Sequence, residues 1–203
     1  IVEVKQEKKN VEFISGKYQA LTKRGITEET CRKFGYKVGT WSGHPCHVAS
    51  YYKNGMEVAQ HIRTPDKQFP WTGDSSKIEL FGHHLGENPR LIITEGEIDA
   101  MSISQVFNNK WAVVSVPNGA SSVGKYLRQN LEFIESFDDI VLAFDNDSAG
   151  VEAVDEAVSI ISCGKIRVLS YPDGYKDPND LLANGKGGQL VANIFQARPY
   201  RPD

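Results

Sequence analysis

Cysteine is scarce in this 203-residue chain, with three residues, Cys31, Cys46 and Cys163, odd in number and widely scattered. That pattern argues against a disulfide framework and against a zinc knuckle, and it points to a reducing compartment. Long apolar runs are also lacking. No stretch approaches the ~20 residues that cross a bilayer. Ile1–Asn10 is too polar for a secretory signal. No membrane partner is therefore expected. Internal repeats and low-complexity tracts are missing, which sets aside solenoids and disordered scaffolds.

What is present is ordinary for a globular protein, at 40% hydrophobic and 24% charged residues. The length suits one large or two small domains around a substantial core. The net charge of −3 hides an asymmetry. Residues 1–90 carry 14 Lys/Arg against 10 Asp/Glu, whereas residues 91–203 carry 9 against 16. A basic half beside an acidic half fits a polyanion groove next to a metal site, although an excess of this size is also compatible with chance.

The chain divides by rhythm. Residues 1–15 read as an N-terminal arm rich in Lys, Glu and Val. From Lys17 to Tyr36 the pattern predicts helices, with Thr27 as N-cap and Gly35 as the stop. His47–Tyr52 and Met56–Arg63 flank Lys53-Asn54-Gly55, a strong hairpin signal. A polar loop follows over Thr64–Lys77, so residues 16–90 form a small α+β subdomain. After Arg90, strands expected at Arg90–Thr94, Trp111–Val116, Asp139–Phe144 and Ile166–Tyr171 alternate with helices at Ile98–Val106, Val123–Ser136, Ala149–Ile161 and Gly188–Gln196. Such alternation over 91–203 predicts an α/β fold, a parallel sheet with helices on both faces.

Chemistry concentrates where the strands end. Leu91-Ile92-Ile93-Thr94 runs into Glu95-Gly96-Glu97-Ile98-Asp99, and Ile140-Val141-Leu142-Ala143-Phe144 runs into Asp145-Asn146-Asp147-Ser148-Ala149-Gly150. Acidic groups at the carboxyl ends of parallel strands occupy the ligand-binding edge of an open α/β sheet. Brought together they repel unless a cation joins them, and hard oxygen donors suit Mg²⁺ in phosphate chemistry. Taken singly, Glu97 and Asp99 are also the acids that favour a helix N-terminus, and Asp-x-Asp is more often a turn or a cap. Lys176-Asp177-Pro178 after the last strand is equally a standard helix start. His61, Arg63 and Lys67 lie on or just after the hairpin and offer cations for phosphates. Gly119–Tyr126 fits seven positions of a phosphate-binding P-loop but has Tyr126 where a small hydroxyl is needed. His44-Pro45-Cys46-His47 lacks a second ligand pair, so a structural role is expected.

Together Glu-Gly-x-x-Asp, Asp-x-Asp-x-x-Gly and Lys-Asp-x-Asn-Asp resemble the TOPRIM domain, shared by DnaG-type primases, topoisomerases and some nucleases. Gly16–Ile26, Leu80-Phe81-Gly82, Thr94–Asp99 and Asn118-Gly119-Ala120-Ser121 further resemble the primase half of phage bifunctional primase–helicases, which have organellar relatives. The resemblance implies a TOPRIM-type sheet after the α+β subdomain, and an RNA polymerase domain that makes short primers on single-stranded DNA from ribonucleoside triphosphates. It implies Mg²⁺, with Mn²⁺ as an alternative, held by Glu95, Asp145 and Asp147, with Glu97, Asp99 and Asp177 as additional catalytic acids. Lys67, Arg63, His61, Asn118 and Ser121 would meet nucleotide or nucleic acid, although His61 stands where the phage pattern tends to have Lys. The family's N-terminal zinc-binding module and C-terminal replicative helicase are missing from the stretch, so it reads as a catalytic core without zinc. It would work in the cytoplasm of a phage-infected bacterium. A TOPRIM nuclease and an inert domain that binds nucleic acid or docks a helicase are the alternatives.

Overall fold

A computed structural model describes residues 12–76, 78–85, 89–162 and 164–201. Most of the expected arm (residues 1–11), Lys77 at the end of the expected loop, and Cys163 lie outside the described residues.

The first half forms an antiparallel sheet in chain order: β1 (Gly16–Lys17), β2 (Tyr36–Trp41), β3 (His44–Lys53), β4 (Met56–Arg63) and β5 (Trp71–Gly73). The expected helices over Lys17–Tyr36 reduce to a short 3-10 turn and one α-helix, α1 (Glu28–Phe34). Glycines stop both, since Gly25 and Gly35 hold left-handed conformations at φ 67° and 74° that end the turn and free Tyr36 to start a strand. Thr27 caps α1 as expected, accepting from the Thr30 N–H. The expected loop Thr64–Lys77 contains β5, which pairs with β4 through Trp71 and His61. Asn54 and Gly55 turn the β3–β4 hairpin with φ of 51° and 76°. A β-bulge between Tyr51 and Tyr52 then shifts the register, so that Tyr51 pairs with Ala59 and Ala49 with His61. Paired residues share a face, and the bulge therefore places Tyr51, His61 and Trp71 on one side of the sheet.

The second half alternates as expected: β6 (Arg90–Thr94), α2 (Glu97–Val106), β7 (Ala112–Ser115), α3 (Val123–Gln129), α4 (Leu131–Glu135), β8 (Asp139–Ala143), α5 (Ser148–Ile160), β9 (Ile166–Val168), α6 (Pro178–Ala183), α7 (Gly187–Phe195) and β10 (Arg198–Pro199). The sheet order is β10-β9-β8-β6-β7. Four strands are parallel, but β10 runs antiparallel to β9, so the sheet is mixed rather than purely parallel. β9 is shorter than expected and ends at Val168. The single helix expected over Val123–Ser136 breaks at Asn130, whose Nδ2 donates to the Tyr126 carbonyl oxygen at 2.9 Å and competes with the helical pattern.

Leu91, Ile92 and Ile93 of the central strand are fully buried, each contributing roughly 1.5–3 kcal/mol by burial. One hydrophobic cluster runs from this sheet through Phe34, Tyr51 and Phe81 into the first, so the two sheets share a core. Val48, Ile62 and Cys46 form a small second cluster. The crossover β6–α2–β7 moves one way along the sheet and β8–α5–β9 the other. Right-handed crossovers then put α2 and α5 on opposite faces and leave a crevice between the carboxyl ends of β6 and β8.

Candidate functional site

That crevice holds the acidic residues. Thr94 of β6 pairs with Ala143 of β8, so the chain leaves both strands side by side, with Glu95 and Asp145 just beyond the sheet edge. Glu95, 9% exposed, accepts the Asp145 N–H on Oε1 at 2.9 Å. Gly150 makes this approach workable. A Cβ there would lie 1.9 Å from the Asp145 carbonyl oxygen and 3.0 Å from Glu95 Oε1. Asp147 caps α5 through Oδ1 to the Gly150 N–H at 2.9 Å, and Asp177 caps α6 through Oδ1 to the Asp180 N–H at 2.7 Å. A backbone bond from the Asn146 N–H to the Lys176 carbonyl oxygen (2.7 Å) ties the two capping loops together. Asp99, in the first turn of α2, accepts the Asn179 N–H at 3.1 Å.

The electrostatics register how close these groups stand. Burial, with the charges of Glu95, Asp177 and Asp147, pushes the Asp145 carboxyl up to about 7, against a weaker opposing pull from Lys176. Burial also holds Glu95 above its usual range; the Asp147 charge adds to this, while the N–H groups of Asp145 and Ala120 oppose it. Asp99 is held well above its usual range by burial and by Asp177 and Asp145. The Tyr171 hydroxyl is buried without a hydrogen-bond partner among the described residues, and burial and the charges of Asp99, Asp145, Asp177 and Glu95 hold it well above its usual value. Among the described residues, no three His, Cys, Asp or Glu side chains converge as a set able to hold one ion. The donors fit Mg²⁺ by chemistry, being crowded hard oxygens whose repulsion a cation relieves, rather than by a closed coordination geometry.

Facing the acids is the shared face of the N-terminal sheet. Glu97 starts α2, and its Oε1 accepts both the Tyr51 hydroxyl (2.9 Å) and His61 Nδ1 (2.6 Å). Burial alone would raise the Glu97 carboxyl, but the charge and hydrogen bond of His61, with help from Tyr51, hold it below its usual range. His61 stacks on Trp71 with ring centroids 4.4 Å apart, and Trp71 Nε1 donates to Asn118 Oδ1 at 3.0 Å. These contacts enclose a cleft of about 450 Å³ lined by His61, Arg63, Phe69, Glu95, Gly96, Glu97, Asp99, Asn118, Gly119 and Asp145.

Seven of the residues singled out from the sequence thus meet in one cleft: Glu95, Glu97, Asp99, Asp145, His61, Arg63 and Asn118. Lys67, Ser121, Asp147 and Asp177 are not among its lining residues. Lys67 sits exposed in a tight turn at φ 60°, and Ser121 is exposed in a 3-10 turn. Tyr51, Trp71, Phe69 and Tyr171 were not anticipated, and Asn179 figured only as the Asn of the Lys-Asp-x-Asn-Asp motif. For Tyr51 and Trp71, period-two alternation was the available signal, and the bulge and the short β5 concealed it. His47, from the metal-like tetrad, instead meets the Tyr36 hydroxyl through Nδ1 at 3.1 Å.

The chain matches two family models, "Bacteriophage T7 DNA helicase/primase, N-terminal a+b fold" over residues 16–73 and "Toprim-like" over residues 92–182. It is similar to the crystal structure of the primase fragment of the bacteriophage T7 primase-helicase protein, at 37% identity and TM-score 0.83, covering 92% of this chain and 81% of that one. The chain belongs to the TOPRIM-containing primases. This primase domain is also 38% identical over 191 residues to a "DNA helicase/primase" of Enterobacteria phage T3, covering 93% of this chain but only 33% of that protein. It therefore spans about a third of that curated relative. A further similar structure is a bacteriophage T7 assembly of the lagging-strand DNA polymerase with primase domains, described as bound to an RNA/DNA hybrid and dTTP. There the identity is 39% and the TM-score 0.84, with 92% of this primase domain and 95% of that chain covered. Membership places the domain with nucleotidyltransferase enzymes of phage replication.

Proposed function

We propose that this primase domain is the RNA-polymerising core of a replicative primase, extending short RNA primers on single-stranded DNA from ribonucleoside triphosphates. The observation that carries this reading is the crowding of carboxylates at the β6–β8 crevice, with Asp145 pushed up to about 7. When bound there, divalent ions, Mg²⁺ or Mn²⁺, supply the Lewis-acid chemistry that eases deprotonation of the attacking hydroxyl and neutralises charge on the leaving pyrophosphate.

Glu95, Asp145 and Asp147 are the acids that hold those ions, and Asp99 and Asp177 tune the group through their charges. The 3′-hydroxyl oxygen of the primer bonds to the α-phosphorus of the incoming triphosphate as the bond to pyrophosphate breaks. Glu95 accepts the hydroxyl proton. His61, Arg63 and Asn118 line the opposite wall and orient nucleotide phosphate and sugar. Lys67 and Ser121, both exposed, meet the template or primer backbone. In this division residues 16–90 handle nucleic acid and residues 91–203 carry the chemistry. The T7 primase domains described as bound to an RNA/DNA hybrid support nucleic acid as a partner. The T3 relative, described as a helicase/primase, supports a fused replicative helicase as partner, in the cytoplasm of a phage-infected bacterium. An N-terminal zinc-binding module would complete the family's arrangement.

The test is extension of a short ribo-oligonucleotide annealed to single-stranded DNA, with labelled ribonucleoside triphosphates and Mg²⁺ or Mn²⁺. Product growth that vanishes in Asp145→Ala is expected. Shortening of either strand would replace the reading with a nuclease, and binding without turnover would replace it with a docking domain.

A further inference from the structure

Glu97 differs from the other acids of the cleft in what its carboxylate touches. Its Oε1 takes two donors from the N-terminal sheet, the Tyr51 hydroxyl and His61 Nδ1, at 2.9 and 2.6 Å. His61 is 7% exposed, with its ring stacked on Trp71 and edge-on to Tyr51. Its other nitrogen, Nε2, is buried and has no hydrogen-bond partner among the described residues, although the residue lines the cleft with Arg63, Glu95 and Asp145. A carboxylate on Nδ1 makes that nitrogen an N–H donor, and a ring held between two anionic acceptors carries an N–H on each nitrogen. A buried donor of this kind needs an acceptor, and an anion entering the cleft supplies one.

We propose that Glu97 is a positioning residue that acts through His61, fixing the ring so that Nε2–H meets a phosphate of the nucleotide, and that it does not hold the metal ions. The inference rests on the cleft being a nucleotide site. It separates Glu97 from Glu95, two residues away, and assigns the Tyr51–Glu97–His61 chain to triphosphate binding.

Glu97→Gln keeps the shape and an acceptor oxygen but removes the charge. It should raise the KM for the incoming ribonucleotide about tenfold, with a smaller effect on kcat and no change in the Mg²⁺ concentration giving half-maximal rate. In a His61→Lys background the same substitution should change KM by less than about twofold, because the lysine charge does not depend on Glu97. A readout without turnover uses the wild-type chain carrying ¹⁵N-labelled histidine, titrated with ATP in EDTA. The His61 Nε2 resonance should move while Nδ1 stays hydrogen-bonded. A shifted Mg²⁺ requirement with unchanged KM overturns the inference, as does an equal Glu97→Gln effect in both backgrounds. An unmoved His61 spectrum also overturns it, whether or not Glu97→Gln folds. Loss of templated synthesis in the wild-type chain, with ATP still moving Nε2, would sink the polymerase reading and leave this one standing.

Discussion

The raised Asp145 carboxyl makes stability depend on pH in a direction opposite to that of a salt-bridged acid. Its value in the fold is about 7, against about 3.9 in an unfolded chain. The native state therefore binds this proton more tightly than the unfolded state does. The resulting stabilisation is complete below the unfolded value and is lost as pH rises from about 4 through 7. At about 1.4 kcal/mol per pH unit, the window from pH 5.5 to 7 spans about 2 kcal/mol. Solvent reaches part of this side chain and screens it, leaving about 1–2 kcal/mol. For a domain of this size that is a fall in Tm of about 2–8 °C. Asp99, shifted in the same direction by burial, Asp177 and Asp145, adds to the slope. Thermal unfolding followed by circular dichroism in EDTA should show Tm falling over this window. Asp145→Asn should flatten the curve, and Mg²⁺ at pH 8 should raise the wild-type Tm. A slope unchanged in Asp145→Asn, or a Tm that climbs with pH over this window, would refute the account of carboxylate crowding.

Other substitutions separate structural from chemical roles. Asp147→Ser keeps a side-chain acceptor for the Gly150 N–H and should leave urea stability within a few tenths of a kcal/mol, whereas Asp147→Ala should lose about 1 kcal/mol. Both should lower primer extension about a hundredfold or more if the carboxylate serves the chemistry. Gly150→Ala forces a Cβ to 1.9 Å from the Asp145 carbonyl oxygen, so it should cost about 1–3 kcal/mol in urea unfolding and reduce extension together with stability. Asn179→Ala removes side-chain bonds to the Arg24 carbonyl oxygen and Ser102 Oγ while retaining the backbone bond to Asp99. It should destabilise by about 1–3 kcal/mol, read by the same unfolding assay.

The acidic wall of the cleft was legible because it depends on local rules. A buried run of Leu91–Thr94 or Ile140–Phe144 ends in a carboxylate, and parallel neighbours put such ends side by side. The caps at Asp147 and Asp177 were legible for the same reason, since an Asp accepts from an N–H three residues on. The opposite wall was not. A regular two-residue hairpin at Asn54-Gly55 would pair Tyr51 with Val58 and turn His61 to the other face. The bulge at Tyr51/Tyr52 reverses this, and no residue type at that point announces it. β5 and β10 are three and two residues long, too short to carry a periodic signal, and β10 alone makes the second sheet mixed. Tyr171 reaches the carboxylates from a loop after β9, a placement that only the tertiary fold sets.

The central claim, templated nucleotidyl transfer by the β6–β8 carboxylates, is tested most directly by single-nucleotide addition. A ribo-oligonucleotide is annealed to four DNA templates that differ only in the next base, and each labelled ribonucleoside triphosphate is offered in turn with Mg²⁺ or Mn²⁺. The account predicts addition of the complementary nucleotide on each template and none with Asp145→Ala. Addition that ignores the template base, or that persists in Asp145→Ala, would contradict it.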